Sequence, residues 1–469
     1  MAEPVKQKFD RTLTEGSVSK AVWKLAWPTM LQNVIAGLQG IIDHTMVGHL
    51  VGFTANAAIG VSWQIFLVVV VFISSLYSGM GVMVARFAGA GESDKVNRVV
   101  YQAFLTSVLL ALGVLAPLGY VFSPQLLDLV HAAPEVKVEA LPYLRVMFGC
   151  SIGMLVFFLL GGAMRAAGDA KTPLRLGVVM TVLNLVLNII LIRGLGPIPP
   201  LGTLGAALGT VLAAGVASSL GLYLLFSGKL AVHFEKGMSF RPDWQIITSL
   251  FRFGLPAGFQ GIAMNVAGVL LLRFIGALPH SAEAQAAYAV GYTELFSLIT
   301  WTSVGLMGAT AALVGQNLGA GKPERSIQSV HVASMIGLGV AATVGLLFLL
   351  VPRVLLAAFG MKDDLVVGIG VELLRFLSLS GLFITVALVY TGGLQGSGDT
   401  RSPLYISIIA QIVVPLGMCG IIQAQRELQA TDVWLAIVIG HCLRCLLSVE
   451  RFRQGKWQHI KVELKPAEA

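Results

Sequence analysis

Apolar runs of roughly 20 residues, the length a helix needs to cross a hydrocarbon core, recur along nearly the whole chain, each closed by a short polar or glycine-rich break. The breaks delimit twelve segments, at 22–48, 55–82, 99–122, 141–164, 174–193, 203–227, 250–277, 284–314, 328–351, 368–394, 404–424 and 432–450. In lipid every backbone N–H and C=O must be satisfied within its own segment or a closed barrel, so single runs of this length read as helices. The expected fold class is an all-α polytopic membrane protein with twelve transmembrane helices.

Composition supports that reading. The 469 residues are 56% hydrophobic and 12% charged, with a mean hydropathy of +0.81, whereas a soluble domain carries about 25% charge. A net charge of +8 and a pI near 9.3 raise the question of nucleic acid, which the placement of the charges answers. Of the 32 lysines and arginines, 24 fall in the two tails and the even-numbered loops when residues 444–465 are counted with the C-terminal tail. The positive-inside bias then puts both termini in the cytoplasm, and no nucleic-acid partner is expected. The N-terminal stretch has no apolar core followed by a small-residue cleavage site, so no removed secretory signal is expected. Cys150, Cys419, Cys442 and Cys445 all lie in apolar segments, where neither disulfides nor a zinc framework is a natural expectation. His441 with Cys442 and Cys445 reads as packing on one helix, and no metal or cofactor is expected.

The chain repeats itself. GGAMRAAGDAKTPL at 161–174 recurs as GGLQGSGDTRSPL at 392–404, and GAGESDK at 89–95 as GAGKPER at 319–325. One constant offset carries Gly168 to Gly398 and Gly89 to Gly319, and a slightly smaller one carries Pro28 to Pro256 and Gly48 to Gly276. The shared loops read as helix punctuation: Gly ends one helix, Asp or Ser/Thr caps the next, and Pro173 or Pro403 enters its first turn. Six crossings per half keep both halves in one orientation, so two six-helix bundles related by a pseudo-two-fold along the membrane normal are expected, with binding at or beside their interface. The implied division is a cytoplasmic tail at 1–21, a bundle at 22–227, a cytoplasmic linker at 228–249, a second bundle at 250–450 and a tail at 451–469.

Ionisable groups in mid-membrane are functional candidates by default. Two carboxylates qualify, Asp43 and Glu294. Gln32, Gln39 and Asp43 form one stripe on the first helix, and Asn184 and Asn188, four apart, share a face of the fifth. Such amides serve either helix packing or a wet site. The repeat supplies an internal control: Asp43 and Gln39 correspond to Leu271 and Ala267, and Asn184 and Asn188 to Val414 and Met418, so the duplicated scaffold does not require them. Glu294, which stands opposite Ile65 or Gln64 in the repeat, has Tyr288, Tyr292 and Trp301 nearby. It is either a cation-binding group with aromatic faces or a structural partner for an arginine or hydroxyl. Gln64 and Gln260 complete the candidate substrate cavity with Asp43, Gln32, Tyr292 and Glu294.

GLPAGFQG (254–261), VGQNLGAGKPERS (314–326), the twice-used GD loop and GIIDHTMVGHL (40–50) together resemble the multidrug and toxic compound extrusion family, within the superfamily that also holds lipid-linked oligosaccharide flippases. The likeness covers nearly the whole chain. It implies a secondary antiporter, not an enzyme, in the plasma membrane (bacterial inner membrane), expelling drug-like and mainly cationic molecules as protons or sodium enter by alternating access. Asp43 then matches the family's first-helix aspartate and Pro28 the proline about which that helix bends. Asn184 and Asn188 fall where relatives carry an Asn and then an Asp or Asn, which leaves a two-carboxylate site incomplete. The resulting hypothesis makes Asp43 the proton-coupling group, oriented by Gln39, Asn184 and Asn188, in a monomer; sodium coupling is the near alternative. A flippase would need basic residues deep in the cavity, and Arg145, Arg193, Arg273 and Arg375 lie near outer helix ends.

Overall fold

The computed structural model describes residues 9–234 and 237–464; the sequence readings on Lys6, Lys8, Lys236, Lys465 and the extreme tails lie outside the described residues. Every described element is a helix or a turn. In the N-terminal half these are α1 (Val18–Leu50), α2 (Phe53–Ala90), α3 (Ser93–Leu110), α4 (Ala116–Leu129), α5 (Pro134–Gly149), α6 (Ser151–Ala166), α7 (Lys171–Arg193) and α8 (Gly202–Phe226). The C-terminal half has α9 (Trp244–Ile275), α10 (Ser281–Tyr288), α11 (Ser297–Gly319), α12 (Pro323–Leu350), α13 (Pro352–Ala358), α14 (Asp364–Ser397), α15 (Arg401–Ile408), α16 (Val414–Gln425) and α17 (Ala430–Arg453).

Each of the twelve apolar segments falls on one of these helices or on a helix pair. Among the described residues, three segments carry a π turn, at Ala111–Leu115, Ala289–Leu295 and Ile409–Val413, and a fourth bends by 52° at Cys150, between α5 and α6. By length and apolarity nine helices among the described residues are able to cross a membrane, or ten with the bent pair counted as one.

The shared loop motifs are helix punctuation in three dimensions. Gly91 and Gly398 close α2 and α14 in the left-handed conformation, which a Cβ would strain. Asp169 Oδ1 accepts from the backbone N–H groups of Lys171 and Thr172, both at 3.0 Å, and Asp399 Oδ1 accepts from that of Ser402 at 3.2 Å. The second copy carries more among the described residues: Arg451 Nε and Nη2 both donate to Asp399 Oδ2, at 2.9 and 2.7 Å.

The chain forms two compact units. Among the described residues, unit 1 comprises 9–11, 35–258 and 462–464, and unit 2 comprises 12–34 and 259–461. The boundaries between the units fall inside α1 and α9, a few residues beyond Pro28 and Pro256. Pro28 and Pro256 lie inside these two helices, where a proline removes an intrahelical hydrogen bond and crowds the preceding turn.

Inside unit 2, α11 approaches the start of α1 through Gly305, where a Cβ would sit 2.6 Å from Met30 Cα. Arg325 donates to the carbonyls of Gly16 at 2.7 Å and Glu15 at 3.0 Å, and Lys322 to that of Thr14 at 2.9 Å. Inside unit 1, α2 approaches the start of α9 in the same manner at Gly79 and Gly254. The linker ahead of it docks on α3: Arg98 pairs with Asp243, and Gln102 Nε2 donates to Arg241 O at 2.9 Å.

Candidate functional site

Gln39 and Asp43 lie one turn apart on the second half of α1, and α7 carries Thr181, Asn184 and Asn188 on one face at i, i+3 and i+7. These faces meet in parallel register within unit 1. The Thr181 hydroxyl donates to Gln39 Oε1 at 2.7 Å, and Asn188 Nδ2 donates to Asp43 Oδ1 at 2.9 Å. Asn188 Nδ2 also lies 3.4 Å from Asn184 Oδ1, while Asn184 Nδ2 donates to Thr210 Oγ1 of α8 at 3.2 Å. Thr210 closes the run by donating to Ala206 O at 3.0 Å. Asn184 and Asn188 are each 1% exposed, whereas Asp43 is half-buried.

The backbone of α8 makes this arrangement possible. The run Gly205-Ala206-Ala207-Leu208-Gly209 is a small-residue motif of the kind that lets membrane helices approach closely. A Cβ at Gly205 would lie 2.6 Å from the Leu191 carbonyl, and one at Gly209 would lie 2.1 Å from Asn188 Oδ1. That amide oxygen is buried against Gly209 and has no hydrogen-bond partner among the described residues. His44, beside the aspartate in sequence, faces elsewhere, with Nδ1 2.8 Å from Asn56 Oδ1 on α2.

The structure thus brings Asp43, Gln39, Asn184 and Asn188 together and adds Thr181, Thr210 and Gly209, which the sequence reading missed. A polar stripe flags amides and acids, but Thr is common in any membrane helix, and a glycine that seats a side chain leaves no pattern. Gln32 belongs to the first half of α1 and to unit 2, about 16 Å along the helix from Asp43, so the α1 stripe is divided. Gln64 on α2 is exposed. Pro28 is buried within α1. The next residue, Thr29, donates its hydroxyl back to Leu25 O and Ala26 O at 2.8 and 2.9 Å, in the turn before the proline.

The C-terminal candidates lie in unit 2. Tyr292 and Glu294 sit on the Ala289–Leu295 π turn, a rare feature that proteins use to re-aim side chains at working sites. The aromatic faces proposed for a cation are taken up by one another. Tyr288 stacks on Tyr292 at 4.9 Å and on Trp434 at 6.2 Å, and Tyr292 also stacks on Phe296 at 5.3 Å. Gln260 is buried in an amide relay, donating to Ser407 Oγ at 2.8 Å and accepting from Gln395 Nε2 at 3.0 Å. His441 pairs through Nδ1 with Ser380 Oγ at 2.5 Å and stacks on Phe296, a packing role.

Arg444 corrects the charge count. The sequence places it with the cytoplasmic tail, yet it lies well inside α17 and is 0% exposed. The cluster of basic residues after it hides a cation that belongs to the interior of unit 2.

One family model, MatE, matches the chain twice, over residues 28–190 and 256–419. The two matches start at Pro28 and Pro256, the same pair that the repeat aligns. A probable multidrug resistance protein NorM of Thermotoga maritima is 27% identical over 449 residues, covering 94% of this chain and 93% of that protein. Among solved structures, a multidrug resistance MATE family transporter of the MOP superfamily, in an outward-facing conformation, matches with a TM-score of 0.89 at 22% identity, over 97% of this chain and 100% of the other. A MOP superfamily transporter from Pyrococcus furiosus, whose reverse binding-pocket polarity suggests a different function, matches with a TM-score of 0.88 at 23% identity over the same shares. The chain belongs to the MatE family, whose members are membrane transporters and not enzymes.

Proposed function

We propose that this protein is a multidrug efflux antiporter that exchanges drug-like, mainly cationic or amphipathic solutes for protons, with Asp43 as the coupling group. The reading extends to twelve crossings in two six-helix bundles, both termini in the cytoplasm, and a monomer in a bacterial inner membrane. The observation that carries it is the bond from Asn188 Nδ2 to Asp43 Oδ1 at 2.9 Å, at the head of the amide run through Asn184 and Thr210.

Both the family and the geometry bear on the chemistry. Curated relatives along nearly their full length are named as multidrug resistance or export proteins. Asp43 is a half-buried acid among uncharged amides and a hydroxyl, so it takes up a proton or holds a cation, and the two states exclude each other. With the proton bound, its attraction for a cationic solute is gone; with the proton released, the carboxylate accepts from Asn188 and attracts the solute. Gln39, held by Thr181, keeps α1 in register with α7.

Amide orientation favours protons over sodium. A sodium ion wants oxygen ligands converging on one point. Here Asn188 turns N–H toward the carboxylate and its oxygen toward Gly209, while the oxygens of Gln39 and Asn184 accept from Thr181 and Asn188.

The test uses proteoliposomes loaded with a fluorescent cation, with a pH gradient or a sodium gradient imposed separately. The expected result is pH-driven transport that Asp43→Asn abolishes and that a sodium gradient at fixed pH does not drive. Full pH-driven transport by Asp43→Asn would remove Asp43 from the mechanism, and transport driven by sodium alone would replace the proton.

A further inference from the structure

The run of polar groups around Asp43 leaves one buried charge unaccounted for. Arg444 lies about 21 Å from the first residue of α17 and about 14 Å from the last, and is 0% exposed. Its Nη1 donates to the thioether of Met264 at 3.9 Å, a weak acceptor. Nε and Nη2 have no hydrogen-bond partner among the described residues.

No carboxylate of the described residues touches the guanidinium. Titratable groups in electrostatic range of it include Tyr292 and His441, and His441 is already joined to Ser380. Gln260, one turn before Met264 on α9, spends both ends of its amide on Ser407 and Gln395. A guanidinium does not shed its proton in a protein, and its planar fork of N–H donors matches an anion, above all a carboxylate. Buried charges in folded proteins are paired, because an unpaired one is costly.

We propose that Arg444 is an anion-receiving site in unit 2, taking a compact monoanion: the carboxylate of an aromatic solute, or an inorganic halide. The fork would grip the anion, with Tyr292, the ring in electrostatic range of Arg444, beside it. The inference adds anionic and zwitterionic solutes to the substrate class of the proposed transporter. It rests on that reading in one respect: alternation between states has to uncover a group that is fully enclosed here.

The test is calorimetric titration of the full chain in lipid nanodiscs, in a sulfate buffer, with benzoate, with benzamide as its uncharged isostere, and with chloride. The expected result is binding of benzoate or chloride that weakens at least tenfold in Arg444→Met, the loss of charge-assisted hydrogen bonds, with benzamide indifferent to the substitution. Benzoate binding that depends on Arg444 identifies a solute carboxylate as the source; chloride binding alone identifies an inorganic ion. Absence of any Arg444-dependent anion binding overturns the proposal. Should Arg444→Met not fold, the wild-type protein decides by itself: its melting temperature rises with one of the two anions and not with benzamide, and no rise with either anion overturns the proposal. Anion binding that fails while pH-driven cation transport persists removes this inference alone. Transport that fails while Arg444-dependent binding persists removes only the coupling scheme.

Discussion

Gly209→Ala is the sharpest probe of the amide run, because it adds one methyl group and removes no polar atom of the site. The new Cβ would stand 2.1 Å from Asn188 Oδ1 and 3.2 Å from Asn188 Cγ, so the Asn188 side chain has to leave its position. Leaving breaks its hydrogen bond to Asp43, a bond to a charged group worth about 1.5–3 kcal/mol, and overpacking of α7 against α8 adds about 1–3 kcal/mol of destabilisation. The first contribution acts on the coupling equilibrium: about 2 kcal/mol is roughly thirtyfold. The expected outcome is a folded protein of lower thermal stability whose pH-driven transport in proteoliposomes falls by at least tenfold. Gly215→Ala, on the same helix with nothing within 4 Å of its Cβ, is the control and is expected to be neutral. The variant Gly209→Ala/Asn188→Ala is expected to be no worse than Asn188→Ala alone, since the methyl then occupies space the amide has left; contacting residues are non-additive in this way. Wild-type transport by Gly209→Ala, equal damage from Gly215→Ala, or strict additivity in the double variant would each refute the reasoning.

Four further outcomes follow from the same structure. Asp399→Ala is expected to lower thermal stability more than Asp169→Ala does, by about 2 kcal/mol. The reason is that Asp399 holds Arg451 as well as a helix start, and equal losses in a thermal melt would contradict it. Arg325→Ala should speed hydrogen exchange at residues 12–17 roughly tenfold, since its bonds to neutral carbonyls contribute about 1.5 kcal/mol together. Those bonds run to Glu15 and Gly16, and unchanged exchange would show that Leu13 burial and the Lys322 bond to Thr14 O hold the segment without them. Pro28→Ala restores a backbone donor inside α1 and should raise the melting temperature while slowing transport, and a variant as fast as wild type would remove the bend from the cycle. Ser380→Ala leaves His441 Nδ1 without its partner and should cost about 1.5 kcal/mol in a melt with little effect on transport; a large loss of transport would make that pair functional.

The sequence by itself determined everything that depends on periodicity and local backbone rules. Twelve apolar runs fall on helices because only intra-segment hydrogen bonding is tolerated in lipid. The glycine turns and Asp caps appear where the repeat placed them, because left-handed φ and helix-start donors are local demands. Asp43 stood out because a carboxylate on an apolar helix is costly whatever surrounds it. The tertiary structure alone decided what each polar group touches. Nothing local distinguishes Thr181 and Thr210 from packing threonines, or Gly209 from any glycine of a membrane helix; their roles arise from the close approach of α7 to α8. Tyr288 and Tyr292 looked like open faces for a cation, and packing against Trp434 and Phe296 closed them. Arg444 read as a tail residue because charge counting sees position along the chain, while burial is set by the helices that pack around it.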